Sequence, residues 1–290
     1  MKSAWFCFCL LLTVFSAQAM DKVVYGQDNR LEVLTAPSFL AEYARSTAAM
    51  ITKDKLEKQG KAFALNYPRT LQKEYRLCRS ERFLNQPTSA DCSGFLIAPD
   101  VLVTAGHCMQ GQQSCKGSYW VFDYRIEDTG DVKKTFPESD VYTCKQIIAQ
   151  KLDSSTMDDF AVVRLDRAVV GRKPLTIRKE AKVSDSASLV VIGHPSGLPS
   201  KITDSGTMRE NNYRYYFVAN LDTFSGNSGS VVLDAETGLV EGILVRGEDD
   251  YVRAEGDNCY VAKVCKEGEC RGEDVTRITN LAKVLKNIGL

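Results

Sequence analysis

Histidine is scarce in this chain of 290 residues, which contains only His107 and His194. Any mechanism that depends on an imidazole must therefore use one of these two side chains. Neither lies in an H-E-x-x-H pattern, which excludes that zinc metallopeptidase motif. A net charge is also missing, because 37 Lys and Arg residues balance 37 Asp and Glu residues. The balance gives no electrostatic reason to expect nucleic acid or an anionic membrane as a partner.

Long apolar runs are absent beyond the N-terminus. The one N-terminal run extends from Ala4 to Phe15, follows Lys2 and ends in the small residues around Ala19. A charged start, an apolar stretch and a small-x-small ending predict a secretory signal peptide over residues 1–19. An uncleaved membrane anchor is the alternative, although the run is shorter than the roughly 20 residues that a span needs. We expect a mature chain, residues 20–290, that is secreted or periplasmic and has no membrane partner.

Cysteine, in contrast, is frequent, with ten in the chain. Cys7 and Cys9 leave with the predicted signal peptide. An even number of cysteines remains, which in an oxidising compartment predicts about four disulfides without telling which pairs form. The remaining cysteines are Cys78, Cys92, Cys108, Cys115, Cys144, Cys259, Cys265 and Cys270. The last three form a cluster that is an alternative candidate for metal ligands, but no histidine lies near it in the sequence. We expect no metal and no organic cofactor.

From about Asp91 onward, short apolar runs alternate with turns. Such runs, rich in Val, Ile and Phe, cover residues 93–98, 101–104, 160–163, 188–192 and 239–245. Runs of this length, bounded by Gly, Pro, Asp or Asn, are typical of an all-β sandwich or barrel. We expect one all-β domain, since such domains reach roughly 200 to 250 residues. We also expect it to act as a monomer.

Two segments have helical patterns. Pro37–Arg45 begins with a Pro–Ser pair and continues into good helix formers, and Thr276–Ile288 places its apolar residues on one face. We expect the second segment to pack on the domain as a C-terminal helix. The mixed charges of Lys53–Arg79 show no clear pattern, so about residues 20–80 are interpreted as an N-terminal extension.

Three local patterns carry residues that suit nucleophilic chemistry. Thr104–Cys108 reads TAGHC after an apolar strand, Asp158–Val163 reads DDFAVV, and Gly226–Ser230 reads GNSGS in a turn. A serine hydroxyl is a weak nucleophile, so an imidazole must take its proton and a carboxylate must orient that imidazole. A tight glycine turn also lets backbone N–H groups converge on a developing oxyanion.

These patterns resemble those of the chymotrypsin-fold (trypsin-like) serine proteases, and in particular of the bacterial branch that includes the glutamyl endopeptidases. The resemblance implies a double six-stranded antiparallel β-barrel with a C-terminal α-helix. It implies that His107 is the general base, Asp159 the orienting acid and Ser228 the nucleophile. It also implies an oxyanion hole formed by the backbone N–H groups of Gly226 and Ser228. The implied function is a secreted serine endopeptidase that forms an acyl-enzyme on Ser228 and acts on proteins or peptides.

The resemblance also joins Cys92 to Cys108, on either side of the strand pair that presents His107. A bridge that closes a loop of this size stabilises the fold by about 3 kcal/mol through the entropy of the unfolded chain. We expect it to fix the strand that aims the imidazole.

Val23–Gly26 resembles the mature start of the bacterial relatives. In animal trypsins a freed N-terminus pairs with an aspartate just before the nucleophile, and this chain has Asn227 at that position. Because Asn227 carries no charge, that buried ion pair cannot form. We expect removal of residues 20–22 to tune substrate binding without switching the oxyanion hole on.

Other assignments fit the sequence less well. An α/β-hydrolase needs G-x-S-x-G with a histidine after the serine, whereas here the last position is Ser230 and no histidine follows. Asp158 is the neighbouring rival of Asp159 for the orienting role. A subtilisin-like order would use His194, but Gly193–Gly197 resembles a turn leaving a strand, so we expect a structural role for His194. A catalytically silent binding protein with the same fold is the alternative from another functional class.

Specificity in this family is set by a pocket beside the nucleophile, and four residues are candidates for it: Asp222, Thr223, Leu244 and Arg246. Asp222 lies six residues before Ser228, where trypsin-like members carry the acid that binds Lys or Arg. Glutamyl endopeptidases have a histidine where this chain has Leu244, which disfavours cleavage after Glu. Arg246 is expected near the pocket mouth, where it would repel a cation or pair with Asp222. We expect cleavage after Lys or Arg, with small or apolar residues and then acidic residues as the alternatives.

Overall fold

The computed structural model describes residues 23–66 and 68–290, so the signal peptide predicted over residues 1–19 lies outside the described residues. The strands form two closed rings, one in each half of the chain, and three small sheets of two or three strands. No helix in the described part of the chain is long and apolar enough to cross a membrane.

The strands are, in chain order, β1 (Val24–Tyr25), β2 (Leu31–Glu32), β3 (Thr47–Thr52), β4 (Leu56–Gln59), β5 (Ala62–Leu65), β6 (Cys92–Ala98), β7 (Val101–Thr104), β8 (Ser118–Phe122), β9 (Thr135–Pro137), β10 (Val141–Asp153), β11 (Asp158–Leu165), β12 (Ser188–Gly193), β13 (Lys201–Glu210), β14 (Tyr216–Asn220), β15 (Val231–Asp234), β16 (Val240–Arg246), β17 (Tyr251–Arg253), β18 (Tyr260–Ala262), β19 (Val264–Cys265) and β20 (Glu273–Arg277).

The α-helices are short: α1 (Ser38–Ala44), α2 (Leu71–Tyr75), α3 (Gln112–Gly117) and α4 (Ala282–Asn287). Single 3₁₀ turns cover Val33–Thr35, Lys53–Lys55, Gly106–Cys108, Glu138–Asp140, Pro195–Gly197 and Ile278–Leu281.

The first barrel closes in the order β10-β11-β7-β6-β3-β8. Its strands β6 and β7 arise from apolar runs, and nearly all of their side chains are buried. Phe95, Leu102 and Trp120 fill the interior and are fully buried. The strand β3 lies within the segment predicted as an N-terminal extension, yet it pairs with both β6 and β8. That segment therefore completes the barrel, because without β3 the ring would stay open.

The second barrel follows the order β12-β15-β16-β20-β14-β13 and closes because β12 also pairs with β13. The short strand β2 adds to β13 on the outside of the ring. Leu189, Phe217 and Val275 belong to its apolar core. The two closed six-stranded rings confirm the double antiparallel barrel that the resemblance implies.

The terminal helix is shorter than its sequence pattern predicts. The pattern covers Thr276–Ile288, but β20 continues to Arg277 and α4 begins at Ala282. The first predicted residues pair with β14 and β16, and this sheet pairing overrides the helical periodicity. Leu285 still packs against the apolar core, so a packed C-terminal helix is confirmed.

Four disulfides join the eight cysteines from Cys78 onward: Cys78–Cys259, Cys92–Cys108, Cys115–Cys144 and Cys265–Cys270. The number agrees with the prediction from the cysteine count. Such disulfides are typical of proteins that fold in oxidising compartments outside the cytoplasm. All cysteines of the predicted cluster between residues 259 and 270 are bonded, so this cluster offers no thiolate to a metal.

Candidate active site

His107 lies in the 3₁₀ turn that follows β7. The turn needs Gly106, because a Cβ there would overlap the backbone carbonyl oxygen of Lys151 on β10. This close approach sets the turn directly against the neighbouring strands of the first barrel. The His107 side chain keeps 30% of its surface exposed, so the ring contacts the barrel on one edge and faces solvent on the other.

Asp159 holds His107 through two hydrogen bonds. The carboxylate Oδ2 lies 2.8 Å from Nδ1 of His107, and Oδ1 accepts the backbone N–H of the same residue at 3.0 Å. Burial raises the pKa of Asp159, but the hydrogen bonds from His107 and the charge of Arg246 outweigh burial and hold the pKa below its usual range. Because Nδ1 faces the carboxylate, Nε2 is the ring nitrogen that can accept a proton from a substrate or nucleophile.

Ser228 lies in a tight turn between β14 and β15. Gly226 and Gly229 in this turn have φ values of 88° and 87°, a conformation that favours glycine. The N–H groups of Asn227 and Gly229 donate to backbone carbonyls at 2.9 and 2.7 Å. Among the described residues, the N–H groups of Gly226 and Ser228 have no protein acceptor. Two unpaired donors on one turn suit the stabilisation of an oxyanion.

Ser93 on β6 connects the turn of Ser228 to the first barrel. Its N–H donates to the carbonyl of Ser228 at 2.8 Å, and its hydroxyl donates to the carbonyl of Gly226 at 2.8 Å. Its own carbonyl accepts the hydroxyl of Thr104, which ends the strand leading to His107, at 2.7 Å. The turn of Ser228 and the strand that leads to His107 are therefore held by one short chain of hydrogen bonds.

The disulfide between Cys92 and Cys108 lies next to this connection. Cys92 begins β6, beside Ser93, and Cys108 directly follows His107. The two sulfurs and the imidazole lie within 4.8 Å of one another, but both sulfurs are bonded and offer no thiolate to a metal. The bridge therefore holds the imidazole's turn against the first barrel.

The model of the trypsin-like peptidase domain matches residues 92–243, just over half of the chain, and this stretch contains His107, Asp159 and Ser228. The chain belongs to the trypsin-like peptidase family. As a member of this family it is a serine endopeptidase with protein or peptide substrates. No curated protein sequence matches the chain.

Solved structures of proteases share the fold of this peptidase. The Vibrio cholerae VesB protease is 13% identical with a TM-score of 0.52, and the alignment covers 92% of this chain and 68% of that one. An inactive form of Rv3671c from M. tuberculosis is 14% identical with a TM-score of 0.50, covering 92% and 97%. A Glu endopeptidase is 18% identical with a TM-score of 0.49, covering 92% and 98%. At these identities the VesB and Rv3671c likenesses establish the fold alone.

Asp158 and His194, the alternatives to Asp159 and His107, have different hydrogen-bond partners from those two residues. Asp158 accepts a hydrogen bond from Asn280 at 2.8 Å and lies 3.4 Å from Nζ of Lys151. His194 is 1% exposed, and its Nδ1 lies 3.0 Å from the backbone carbonyl oxygen of Leu198. Burial lowers the pKa of His194 to about 4. Within the described residues, neither side chain has a hydrogen bond or ion pair with the turn of Ser228, and His194 stabilises its own loop.

Asp222 binds the N-terminal segment of the peptidase. It is 3% exposed, and its two carboxylate oxygens accept the backbone N–H groups of Tyr25 at 2.7 Å and Asn29 at 3.1 Å. Burial raises the pKa of Asp222 to about 6, although these two N–H groups lower it. The carbonyl of Val23 accepts the N–H of Thr223 at 3.1 Å. The N-terminal segment therefore docks on residues 222 and 223, shortly before the turn of Ser228.

Thr223 contacts a second buried acid, Glu273. The Thr223 hydroxyl donates to Oε2 of Glu273 at 2.8 Å, and both side chains are fully buried. Glu273 lies so close to Gly247 that a Cβ at Gly247 would overlap its carboxylate. Glu273 therefore lies between the segment before Ser228 and the end of β16, the two segments that carry the four predicted pocket residues.

Two of the predicted pocket residues lie elsewhere. Leu244 is fully buried in the apolar core of the second barrel. Arg246 is 3% exposed, and its guanidinium group reaches Asp159 and Asp274 instead of the pocket mouth. The pairing of β16 with β20 is irregular between Leu244 and Arg246. Such an irregularity changes which way the following side chain points, and here it turns Arg246 inward.

Three residues that surround this site were not identified from the sequence: Ser93, Glu273 and Asp274. Ser93 has a weak signal, because it directly follows Cys92 in the motif-bearing strand. Glu273 and Asp274 follow a charged, glycine-containing stretch that has the composition of a loop. Their burial depends on the pairing of β20 with β14 and β16, which no local pattern reports.

Proposed function

We propose that this chain is a secreted serine endopeptidase that cleaves peptide bonds through an acyl-enzyme on Ser228. The observation that carries the proposal is the contact of Asp159 with both the ring and the backbone of His107. The unpaired N–H groups of Gly226 and Ser228 supply the second half of the argument. A base without such donors would activate the serine but leave the oxyanion unstabilised.

In the proposed mechanism, Oγ of Ser228 attacks the scissile carbonyl carbon while Nε2 of His107 takes the hydroxyl proton. Asp159 keeps Nδ1–H pointed at itself and stabilises the imidazolium that forms. The oxyanion accepts hydrogen bonds from the N–H groups of Gly226 and Ser228. His107 then gives its proton to the leaving amine as the C–N bond breaks. A water molecule, deprotonated by His107, then attacks the acyl carbon. The ester C–O bond breaks, and His107 returns the proton to Oγ of Ser228.

An active-site-directed fluorophosphonate tests this proposal. We expect the wild-type protein to be labelled on Ser228, as located by peptide mass mapping, and Ser228→Ala to be unlabelled. His194→Ala is the matched control, because its ring lies outside the proposed machinery, and it should label and cleave peptides at a large fraction of the wild-type rate. A folded wild-type protein that does not label would instead support the silent binding protein.

We propose that residues 1–19 are a signal peptide and that residues 20–290 form the mature peptidase, secreted or periplasmic and monomeric. The four disulfides support an oxidising compartment. The intact mass of the exported protein would place the cleavage site, and size-exclusion chromatography would report its oligomeric state. An unprocessed, membrane-bound product would contradict the signal peptide and favour an anchor.

We also propose that loss of residues 20–22 tunes substrate binding and does not switch the oxyanion hole on. The segment from Val23 docks on Asp222 and Thr223, whereas Asn227 takes part in a hydrogen bond with the hydroxyl of Ser230 at 3.1 Å. Chains that begin at Met20 and at Val23 should label equally fast with a fluorophosphonate and differ on peptide substrates. Labelling only after trimming would show a true zymogen.

For specificity we propose a preference for Lys or Arg. Two buried acids adjoin Thr223: Asp222 directly precedes it in the chain, and Glu273 accepts a hydrogen bond from its hydroxyl. Burial raises the pKa of Asp222 and the neighbouring cation Arg30 lowers it, but Arg30 is itself paired with Asp28 at 2.6 Å, so Arg30 offsets the charge of Asp222 only in part. Arg246, the expected source of repulsion at the pocket mouth, is directed away from the pocket. A confined carboxylate favours a cationic side chain strongly.

A cleavage profile on a peptide library tests this preference, with Glu273→Gln and Asp222→Asn as the variants. We expect each variant to lower kcat/KM for Lys and Arg substrates about tenfold or more relative to uncharged ones. Fluorophosphonate labelling, which does not use the pocket charge, is the control for an intact nucleophile. An unchanged profile in both variants would show that these acids are structural and leave small or apolar residues as the preferred substrates.

A further inference from the structure

Arg246 approaches the Asp159 carboxylate inside the protein. Its Nη1 lies 3.5 Å from Oδ2 of Asp159, the same oxygen that contacts Nδ1 of His107 at 2.8 Å. Its Nη2 donates to the backbone carbonyl of Met157 and so fixes the guanidinium plane. The side chains of Arg246 and Asp159 are only 3% and 1% exposed, so solvent screens this pair weakly.

A row of alternating charges continues behind Arg246. Its Nε donates to Oδ2 of Asp274 at 3.0 Å, and Asp274 is 1% exposed. Both oxygens of Asp274 also accept Nη2 of Arg271, at 2.8 and 2.7 Å, and Arg271 is 42% exposed. The row therefore runs from His107 through Asp159, Arg246 and Asp274 to the surface at Arg271.

Other ionisable groups lie near the row. Burial lowers the pKa of Arg271, but Glu273 and Glu248, with Asp274, outweigh burial and raise it, and further groups come from neighbouring strands. Asp158, beside Asp159 on β11, pairs with Lys151 on β10, and Lys151 also lies 3.8 Å from Asp153. Tyr216 on β14 faces Asp274 and Arg246, and burial together with the charge of Asp274 raises its pKa to about 12. Tyr216 therefore stays neutral at physiological pH.

We propose that Arg246 is a positioning residue for the catalytic base: it holds the Asp159 carboxylate in place and, with Asp274, sets how much negative charge Asp159 presents to His107. The inference rests on the proposed function, because it concerns the same base. The positive charge of Arg246 weakens the electrostatic stabilisation of the His107 imidazolium by Asp159. The negative charge of Asp274 weakens this effect of Arg246, so the two side chains act on the imidazolium in opposite directions.

Opposite shifts of the acid limb of activity follow from this arrangement. Without the positive charge of Arg246, the imidazolium forms more easily. As the pH is lowered, His107 therefore becomes protonated, and activity falls, at a higher pH than in the wild type. Without the negative charge of Asp274, Arg246 acts at full strength and the base persists to lower pH. Charges this close in a weakly screened site change a titration midpoint by about half a unit to one unit.

The test is the fluorophosphonate labelling rate of the full mature chain as a function of pH. We expect Arg246→Met to move the midpoint of the acid limb upward by about half a unit or more, which lowers labelling below the midpoint about three- to tenfold. Asp274→Asn should move it downward. Arg246→Lys keeps the charge and should return the midpoint towards the wild-type value.

Arg271→Met is the variant that spares the buried core, because Arg271 is partly exposed. It strengthens the influence of Asp274 on Arg246 and should move the midpoint upward by less than Arg246→Met does, even if the buried variants fail to fold. A midpoint that does not move in Arg271→Met, or that moves in one direction for both Arg246→Met and Asp274→Asn, overturns the inference. A wild-type chain that does not label at all overturns the proposed function together with it.

Discussion

The strands of the first barrel bury two charged side chains, Asp158 and Asp159, whereas those of the second barrel bury charges on most of their strands. The buried charged residues of the second barrel are Lys201, Asp234, Glu241, Arg246, Glu273, Asp274 and Arg277. The first barrel instead encloses large apolar side chains such as Phe95 and Trp120 and carries two disulfides.

Several of the buried charges of the second barrel have oppositely charged partners. Lys201 contacts Glu32 at 3.0 Å, Glu241 accepts Arg178 through both oxygens, and Arg246 lies between two aspartates. Removing one partner of such a pair leaves an uncompensated buried charge, which costs more than losing an exposed ion pair. The two barrels therefore divide the proposed machinery: an apolar barrel with two disulfides carries His107 and Asp159, and a barrel with many buried charges carries the turn of Ser228.

The largest expected effect is a loss of kcat, and it should be equally large for a substitution in either barrel. Ser228→Ala in the second barrel and His107→Ala in the first should each lower kcat by about 10⁶-fold, since nucleophile and base act as one unit. Steady-state hydrolysis of a peptide substrate measures the loss, and circular dichroism checks that both variants fold. A variant of either residue with near-wild-type turnover would contradict the assignment of that residue.

A smaller effect is expected for the acid of the first barrel. Asp159→Asn should lower kcat by about 10⁴-fold, because an amide favours the wrong tautomer of His107 and no longer stabilises the imidazolium. Asp158→Asn is the matched control one residue away, and its kcat should stay within about a few fold of wild type. If the two variants exchanged these effects, Asp158 would be the orienting acid.

The covalent bracing of the first barrel is the next test. Cys92→Ala with Cys108→Ala removes a bridge between residues 16 apart, and we expect the free energy of unfolding to fall by about 3 kcal/mol. The Cys265–Cys270 bridge joins residues that are only 5 apart in sequence. Its removal should lower the free energy of unfolding by about 2 kcal/mol in the same entropy model. Chemical denaturation measures both losses. A larger loss from the short bridge would contradict the braced-barrel interpretation.

The smallest effect concerns the buried acid Asp222. Its pKa rises from the usual 3.8 to about 6, with burial as the main cause. Because the folded value is the higher one, the folded state binds the proton more tightly than the unfolded state. The stability that this proton contributes is present below pH 4 and is lost as the pH rises through 6. We expect this residue to lower the free energy of unfolding by about 2 kcal/mol between pH 4 and 6.

Asp222→Asn should remove that contribution, so the difference in unfolding free energy between wild type and variant should change across the same pH interval. Urea denaturation at pH 4, 5 and 6 measures it. A difference that stays constant with pH would mean that the backbone N–H groups of Tyr25 and Asn29 fully offset the effect of burial on the pKa of the carboxylate. Charge in the second barrel would then be less costly than the comparison implies.

The local sequence was sufficient to predict the all-β class and the proposed triad. His107, Asp159 and Ser228 each lie in a short motif, and the residues that shape the local backbone lie within a few positions of them. Gly106 lets its turn approach β10, and Gly226 adopts a positive φ. Short apolar runs bounded by turn residues likewise predicted the all-β class, because burial of alternate or consecutive side chains is decided along a single strand.

Only the tertiary structure decided the role of the residues around that core. Arg246 and Leu244 were expected at the pocket. Leu244 is instead buried in the core of the second barrel, and after an irregular pairing between β16 and β20 Arg246 reaches Asp159. Asp222 meets Tyr25 across 197 positions, a contact that no local pattern contains. The direction of a strand side chain and the partner of a buried charge depend on register with strands distant in sequence. Local motifs therefore determined the candidate chemistry, and long-range pairing determined which charges surround it.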